Sequence, residues 1–130
     1  MLLIDPYIDY GEKGKNDDDL KDAEKKAHSS LDIYNYKIGW IKKDSDDALK
    51  NVPEVDFIYI DGEHSYKQTK KDMINYWNKL KVNGILAGHD ICNPLDDFGV
   101  AKAFVEFCSE YNLKPYISRT DWWVIKGKEK

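Results

Sequence analysis

The sequence predicts an α/β domain built on a parallel sheet, and three observations carry that expectation. Residues 55–60 (Val-Asp-Phe-Ile-Tyr-Ile) and 85–87 (Ile-Leu-Ala) are short apolar runs, and each ends on a polar cluster containing aspartate. Between them Tyr66, Thr69, Met73, Trp77 and Leu80 recur at helical spacing, giving one face able to cover a sheet. A crossover of this length makes the flanking strands parallel and the connection right-handed, so Asp61 and Asp90 arrive at one edge. Ligands of open α/β sheets bind beyond the carboxyl ends of the strands, which makes that edge the expected site.

A chain of 130 residues is expected to form a single domain with a real core. Its 42% hydrophobic and 34% charged residues fit a folded protein and argue against disorder. The net charge of −4, with lysines dispersed among acids, leaves no basic footprint for a nucleic acid. No apolar run reaches the length of a membrane span, and the opening Met-Leu-Leu-Ile lacks the basic flank of a signal peptide. Cys92 and Cys108 have no metal-ligand spacing and read as reduced thiols, so a cytoplasmic protein is expected.

Taken in order, Leu2-Leu3-Ile4 is a short strand stopped by Asp5-Pro6, because proline cannot continue a central strand. Residues 7–15 form a loop whose Gly11 and Gly14 are too sparse to cradle a phosphate. Asn16 or Asp17 is placed to cap a helix with Leu20, Ala23, Ala27, Leu31 and Tyr34 on its buried face, and the acids of its first turn suit the dipole. His28 on this helix has no ligand partner at helical spacing. A strand is expected over 36–41, then Asp44-Ser45 and a short helix from Asp46. Asn83-Gly84 is read as the left-handed end of the central helix. Residues 91–98 form a loop at the carboxyl edge. Val100, Ala103, Phe104, Phe107, Cys108 and Tyr111 give a further helix face, and 115–118 with 122–125 make a closing hairpin in which Trp122 and Trp123 pack. Arg119, the only arginine, has no partner evident in the sequence.

The runs Ile60-Asp61-Gly62-Glu63-His64-Ser65-Tyr66 and Gly84-Ile85-Leu86-Ala87-Gly88-His89-Asp90, with Asp72 and Trp77 between, resemble the class I S-adenosylmethionine-dependent methyltransferases. Within them the resemblance is to the metal-assisted sugar and macrocin O-methyltransferases. It implies a Rossmann-like sheet with helices on both faces and an antiparallel C-terminal hairpin. It also implies S-adenosylmethionine as cofactor, Mg²⁺ or Mn²⁺ as metal, and a small hydroxylated substrate. Carried over position by position, Asp61, His89 and Asp90 hold the metal, Asp61 also lies on the cofactor side, Asp5 accepts from ribose hydroxyls, and Asp44 and Ser45 contact adenine. His64 and Glu63 are the two candidates for the base. Histidine is favoured because imidazole titrates near neutrality without special tuning. His89 replaces the carboxylate of the sugar enzymes, and a softer site admits Mn²⁺ more readily.

Purely structural readings stand beside these. Asp5 can be a turn residue before proline, Asp44 or Ser45 can cap the next helix, and the two strand-end clusters can be polar caps. No G-x-G-x-x-G occurs, and Leu2-Leu3-Ile4 matches the family's second strand, so the first strand, its glycine turn and its helix are expected to be absent from these residues. That leads to two further expectations: weak binding of S-adenosylmethionine, and a Leu2–Ile4 strand that pairs with Val55–Ile60 or is loosely held. The alternative function is a non-catalytic fragment acting as a binding or oligomerisation module, whose exposed edges would suit a homo-oligomer. A metal-dependent hydrolase would use the same carboxylates, but no second ligand set is visible.

Overall fold

The computed structural model describes residues 1–8 and 16–128, so most of the expected loop over 7–15, with both its glycines, lies outside the described residues. The chain divides into two compact units, Met1–Lys50 and Asn51–Lys130.

In the first unit, β1 (Leu2–Ile4) and β2 (Gly39–Ile41) form a parallel pair, with Leu2 opposite Gly39 and Ile4 opposite Ile41. Strand β1 therefore has β2 as its hydrogen-bonded partner within this unit. Helix α1 (Asp17–Leu31) starts at Asn16, whose side chain accepts from the amides of Asp18 and Asp19. The Asp19 carboxylate in turn accepts from the Asn16 amide, so three backbone donors at the helix start are satisfied. The apolar face expected on α1 is only half-buried at Leu20, Ala27 and Leu31, while Ala23 is exposed. Tyr34 lies beyond the helix, in a 3-10 segment over Asp32–Lys37. That segment takes up residues 36 and 37, which explains why the strand expected from 36 begins only at Gly39. His28 is exposed and stacks on Trp40 with ring centroids 3.8 Å apart. Asp44 caps the four-residue α2 (Ser45–Ala48).

The second unit holds a four-stranded sheet in the order β3-β4-β6-β5. Strands β3 (Val55–Ile60) and β4 (Leu80–Gly88) run parallel, joined by α3 (Tyr66–Trp77). Helix α4 (Gly99–Glu110) leads to the antiparallel β5 (Tyr116–Ser118) and β6 (Asp121–Ile125). Strand β6 pairs antiparallel with β4, placing Gly88 opposite Trp122. The expected parallel unit and closing hairpin are both present.

The central helix ends earlier than its periodicity suggests. Leu80 keeps the spacing of Trp77 but opens β4, and the Lys126 ammonium donates both to the Trp77 carbonyl at the helix end (2.9 Å) and to the Leu80 carbonyl on the strand (2.8 Å). Asn83-Gly84 is accordingly a bulge within β4 rather than a helix cap. Asn83 takes the left-handed conformation there (φ 66°), and the register shifts between Val55 and Phe57 on the facing strand.

Helices α3 and α4 cover one face of this sheet. Met73 and Trp77 of α3 and Phe104 and Phe107 of α4 enclose Leu86, Trp122 and Val124 in one buried cluster. Phe104 meets the Trp122 ring at 4.8 Å, and Trp77 meets Phe107 edge-on at 5.5 Å. The face expected for α4 is buried from Val100 to Cys108, and Tyr111 at its end stays partly exposed while packing on Phe107. No described helix is long and apolar enough to cross a membrane.

Candidate active site

The parallel register Ile60 opposite Gly88 carries Asp61 and the pair His89-Asp90 to the same edge. The His89 amide donates to the Ile60 carbonyl at 3.1 Å, extending the ladder one step past the strand. Gly88 is needed for this close approach, since a Cβ there would stand 2.3 Å from the Trp122 ring and 2.6 Å from the Ile60 oxygen. Trp122 is fully buried, and its indole N–H donates to the His89 carbonyl at 3.1 Å. Asp90 then turns the chain off the strand in the left-handed region (φ 64°), a conformation aspartate tolerates better than most residues.

These constraints gather the chemistry. Asp61, His89 and Asp90 each offer a ligating atom, and the three atoms lie within 4.8 Å of one another. The His89 Nδ1 is 3.4 Å from Asp90 Oδ2 and 3.8 Å from Asp61 Oδ1. His64 joins them: its Nδ1 is 2.7 Å from Asp90 Oδ2, and both side chains are largely buried. Two hard carboxylates and one imidazole are a donor set suited to a divalent cation of the Mg²⁺ or Mn²⁺ kind.

The loop bearing His64 is tied down on three sides. Ser65 caps α3 by accepting from the Gln68 amide at 3.3 Å, and the Thr69 hydroxyl donates to the Glu63 carbonyl at 3.2 Å. Gly99 lets α4 begin directly against the loop, because a Cβ there would meet Tyr66 N at 2.6 Å and His64 O at 3.0 Å. Glu63 is exposed and its carboxylate accepts from the Ser65 hydroxyl at 2.7 Å. Of the two candidate bases, His64 is the one joined to the cluster.

The cofactor candidates Asp5, Asp44 and Ser45 belong to the first unit. Asp5 and Asp44 follow the carboxyl ends of two adjacent parallel strands. Each also has a local role: Asp5 accepts from the Tyr7 amide at 2.7 Å, and Asp44 from the Asp47 amide at 2.8 Å. The half-buried Ser45 is the first residue of α2.

Two residues absent from the sequence reading extend the cluster. Asp121 opens β6, and because β6 is antiparallel its start falls at the carboxyl edge of β4, 4.0 Å from His89 Nε2. The Tyr59 hydroxyl donates to Asp121 Oδ1 at 2.9 Å. Partial burial and this bond to a carboxylate push the Tyr59 phenol up to about 12. The signal that could have found Asp121 was the hairpin itself, since the first residue of an antiparallel last strand lands on the site edge.

Several of the solved structures this chain resembles are named as methyltransferases. It matches NovP at 17% identity and a TM-score of 0.64 over 98% of this chain and 60% of that one. It matches CalS11, a TDP-rhamnose 3'-O-methyltransferase of calicheamicin biosynthesis, at 13% identity and a TM-score of 0.63, over 98% of this chain and 58% of that one. It matches MycE, a mycinamycin-pathway methyltransferase solved with Mg, SAH and mycinamycin VI, at 12% identity and a TM-score of 0.60, over 98% of this chain and 44% of that one. The chain thus spans between 44% and 60% of the length of these three enzymes, and at these identities the likeness is one of fold. No curated protein matches it. Residues 4–91, more than half of the chain and inclusive of Asp61, His64, His89 and Asp90, match the family described as the methyltransferase domain, and the chain belongs to that family.

Proposed function

We propose that the chain carries the site of a cation-assisted, S-adenosylmethionine-dependent O-methyltransferase acting on a small hydroxylated compound, a sugar among the candidates. The observation that carries this reading is the meeting of Asp61, His89 and Asp90 at adjacent parallel strand ends in a chain of the methyltransferase family. These three residues would hold Mg²⁺ or Mn²⁺. When bound, such an ion orients acceptor hydroxyls and lowers their pKa.

The protein's own part is to hold the acceptor and take its proton. With Nδ1–H donated to Asp90, His64 carries its lone pair on Nε2, the nitrogen that can accept a proton from the acceptor hydroxyl. S-adenosylmethionine, when bound, would supply its sulfonium methyl group to the oxygen so freed and leave as the thioether. Asp90 keeps the imidazole in that tautomer and stabilises it once protonated. Within the first unit, Asp5 with Asp44 and Ser45 is read as a nucleoside-binding edge for ribose and adenine, supported by the placement of Asp5 and Asp44 after parallel strands. The sugar acceptor class is supported by the likeness to CalS11, a TDP-rhamnose 3'-O-methyltransferase.

Transfer of a labelled methyl group to a panel of glycosides, with Mg²⁺, with Mn²⁺ and with chelator, tests the reading. Transfer that stops on chelation is expected. No transfer with either metal would favour the non-catalytic module instead.

A further inference from the structure

Asp61, His89 and Asp121 lie in a row across β3, β4 and β6. Each stands two residues from one of the registered neighbours Tyr59, Ala87 and Trp123, so all three side chains belong to one face of the sheet. His89 is the middle member. Its backbone is fixed on both sides, by Ile60 and by Trp122, whereas its ring lies between carboxylates: Asp90 and Asp61 on the Nδ1 side and Asp121 on the Nε2 side. A neutral imidazole has a single lone pair, and only the nitrogen that carries it can bind a cation. A carboxylate beside the other nitrogen fixes which one that is and raises its basicity.

We propose that Asp121, oriented by the Tyr59 hydroxyl, is a positioning residue that holds the proton of His89 on Nε2 and so presents Nδ1 to the space shared with Asp61 and Asp90. The 4.0 Å separation of His89 Nε2 and Asp121 Oδ1 is closed by a small rotation or one bridging water. Tyr59 matters because it occupies Oδ1 with a 2.9 Å bond and fixes the carboxylate from the neighbouring strand. A carboxylate at position 89 would need no such device, having no tautomer to choose. This inference rests on the cation-assisted reading of the site.

Titration calorimetry of the full chain with Mn²⁺ tests it without any turnover. Asp121→Ala should weaken Mn²⁺ binding by about 10- to 100-fold, Asp121→Asn less because the amide oxygen can still accept, and Tyr59→Phe less again. The discriminating arm is the cycle with His89→Asp: on that background Asp121→Ala should cost at most a few fold, because only its general charge effect is left. Equal losses on both backgrounds, or none on either, would overturn the positioning role while leaving the cation site standing. A parent chain that binds no Mn²⁺ would overturn the cation reading itself and this inference with it.

Discussion

His64 and Glu63 are neighbours in sequence with different surroundings. The Asp90 carboxylate holds His64, while Glu63 turns to the hydroxyl of Ser65. If His64 takes the acceptor proton, His64→Ala should lower turnover by about a hundredfold or more, with Glu63→Gln costing less. The reverse ranking in steady-state kinetics would move the role to Glu63. The two cysteines separate in the same way. Cys92 is exposed, whereas burial pushes the Cys108 thiol up to about 11. One thiol per native chain should react with a thiol reagent near neutral pH, and two after denaturation; two in the native state would contradict the burial of Cys108. Tyr59 gives a pH dependence with a definite sign. Its phenol titrates near 10 in the unfolded chain and at about 12 when folded. The unfolded state therefore loses the proton first, and the stability present below about 10 falls as pH rises towards 12. Tyr59→Phe should flatten that part of a pH-dependent melting curve.

Helix α4 links core and site. Phe104 is fully buried against Trp122, so Phe104→Ala should cost about 3–5 kcal/mol of stability in urea titration. Gly99→Ala should destabilise by roughly 1–3 kcal/mol through overpacking, and should also weaken the site, because the added methyl meets the loop backbone at His64 and Tyr66. A Gly99→Ala chain with unchanged stability would show that the helix start can back away. The elements on which these effects depend were the legible ones. The apolar face of α4 has an unbroken helical period that burial follows, while the parallel pair β3 and β4 and the closing hairpin were legible as apolar runs, although Phe57, Tyr59, Ile117 and Ile125 within them are exposed. The start of β4 was not legible. Leu80 satisfies the helical spacing and is buried, yet from a strand paired with Val55, a long-range partner that local spacing does not report. The 3-10 segment before β2 was not legible either, since its apolar Ile33, Tyr34 and Tyr36 are exposed instead of facing a core.

At the scale of the molecule, apolar burial is uneven. Among the described residues Ala48 is the single buried hydrophobic residue of Met1–Lys50, while the large buried side chains belong to Asn51–Lys130. Opening free energy follows such burial, so amides of α1 should exchange with solvent much faster than those of β4 and α4. Equal protection across the chain would mean that the first unit is held by more than its own core. The site was legible in part for the same topological reason that makes it: Asp61, His64, His89 and Asp90 follow strands whose order the sequence implies, whereas Asp121 and Tyr59 join them through the antiparallel pairing of β6. The central claim is that these strand ends build one divalent-cation site. Direct titration of the chain with Mn²⁺, followed by the paramagnetic resonance of the free ion, should show one ion bound per chain and none in the Asp61→Ala, Asp90→Ala double variant. A parent that leaves all the Mn²⁺ free, or a double variant that binds it as the parent does, would contradict that claim.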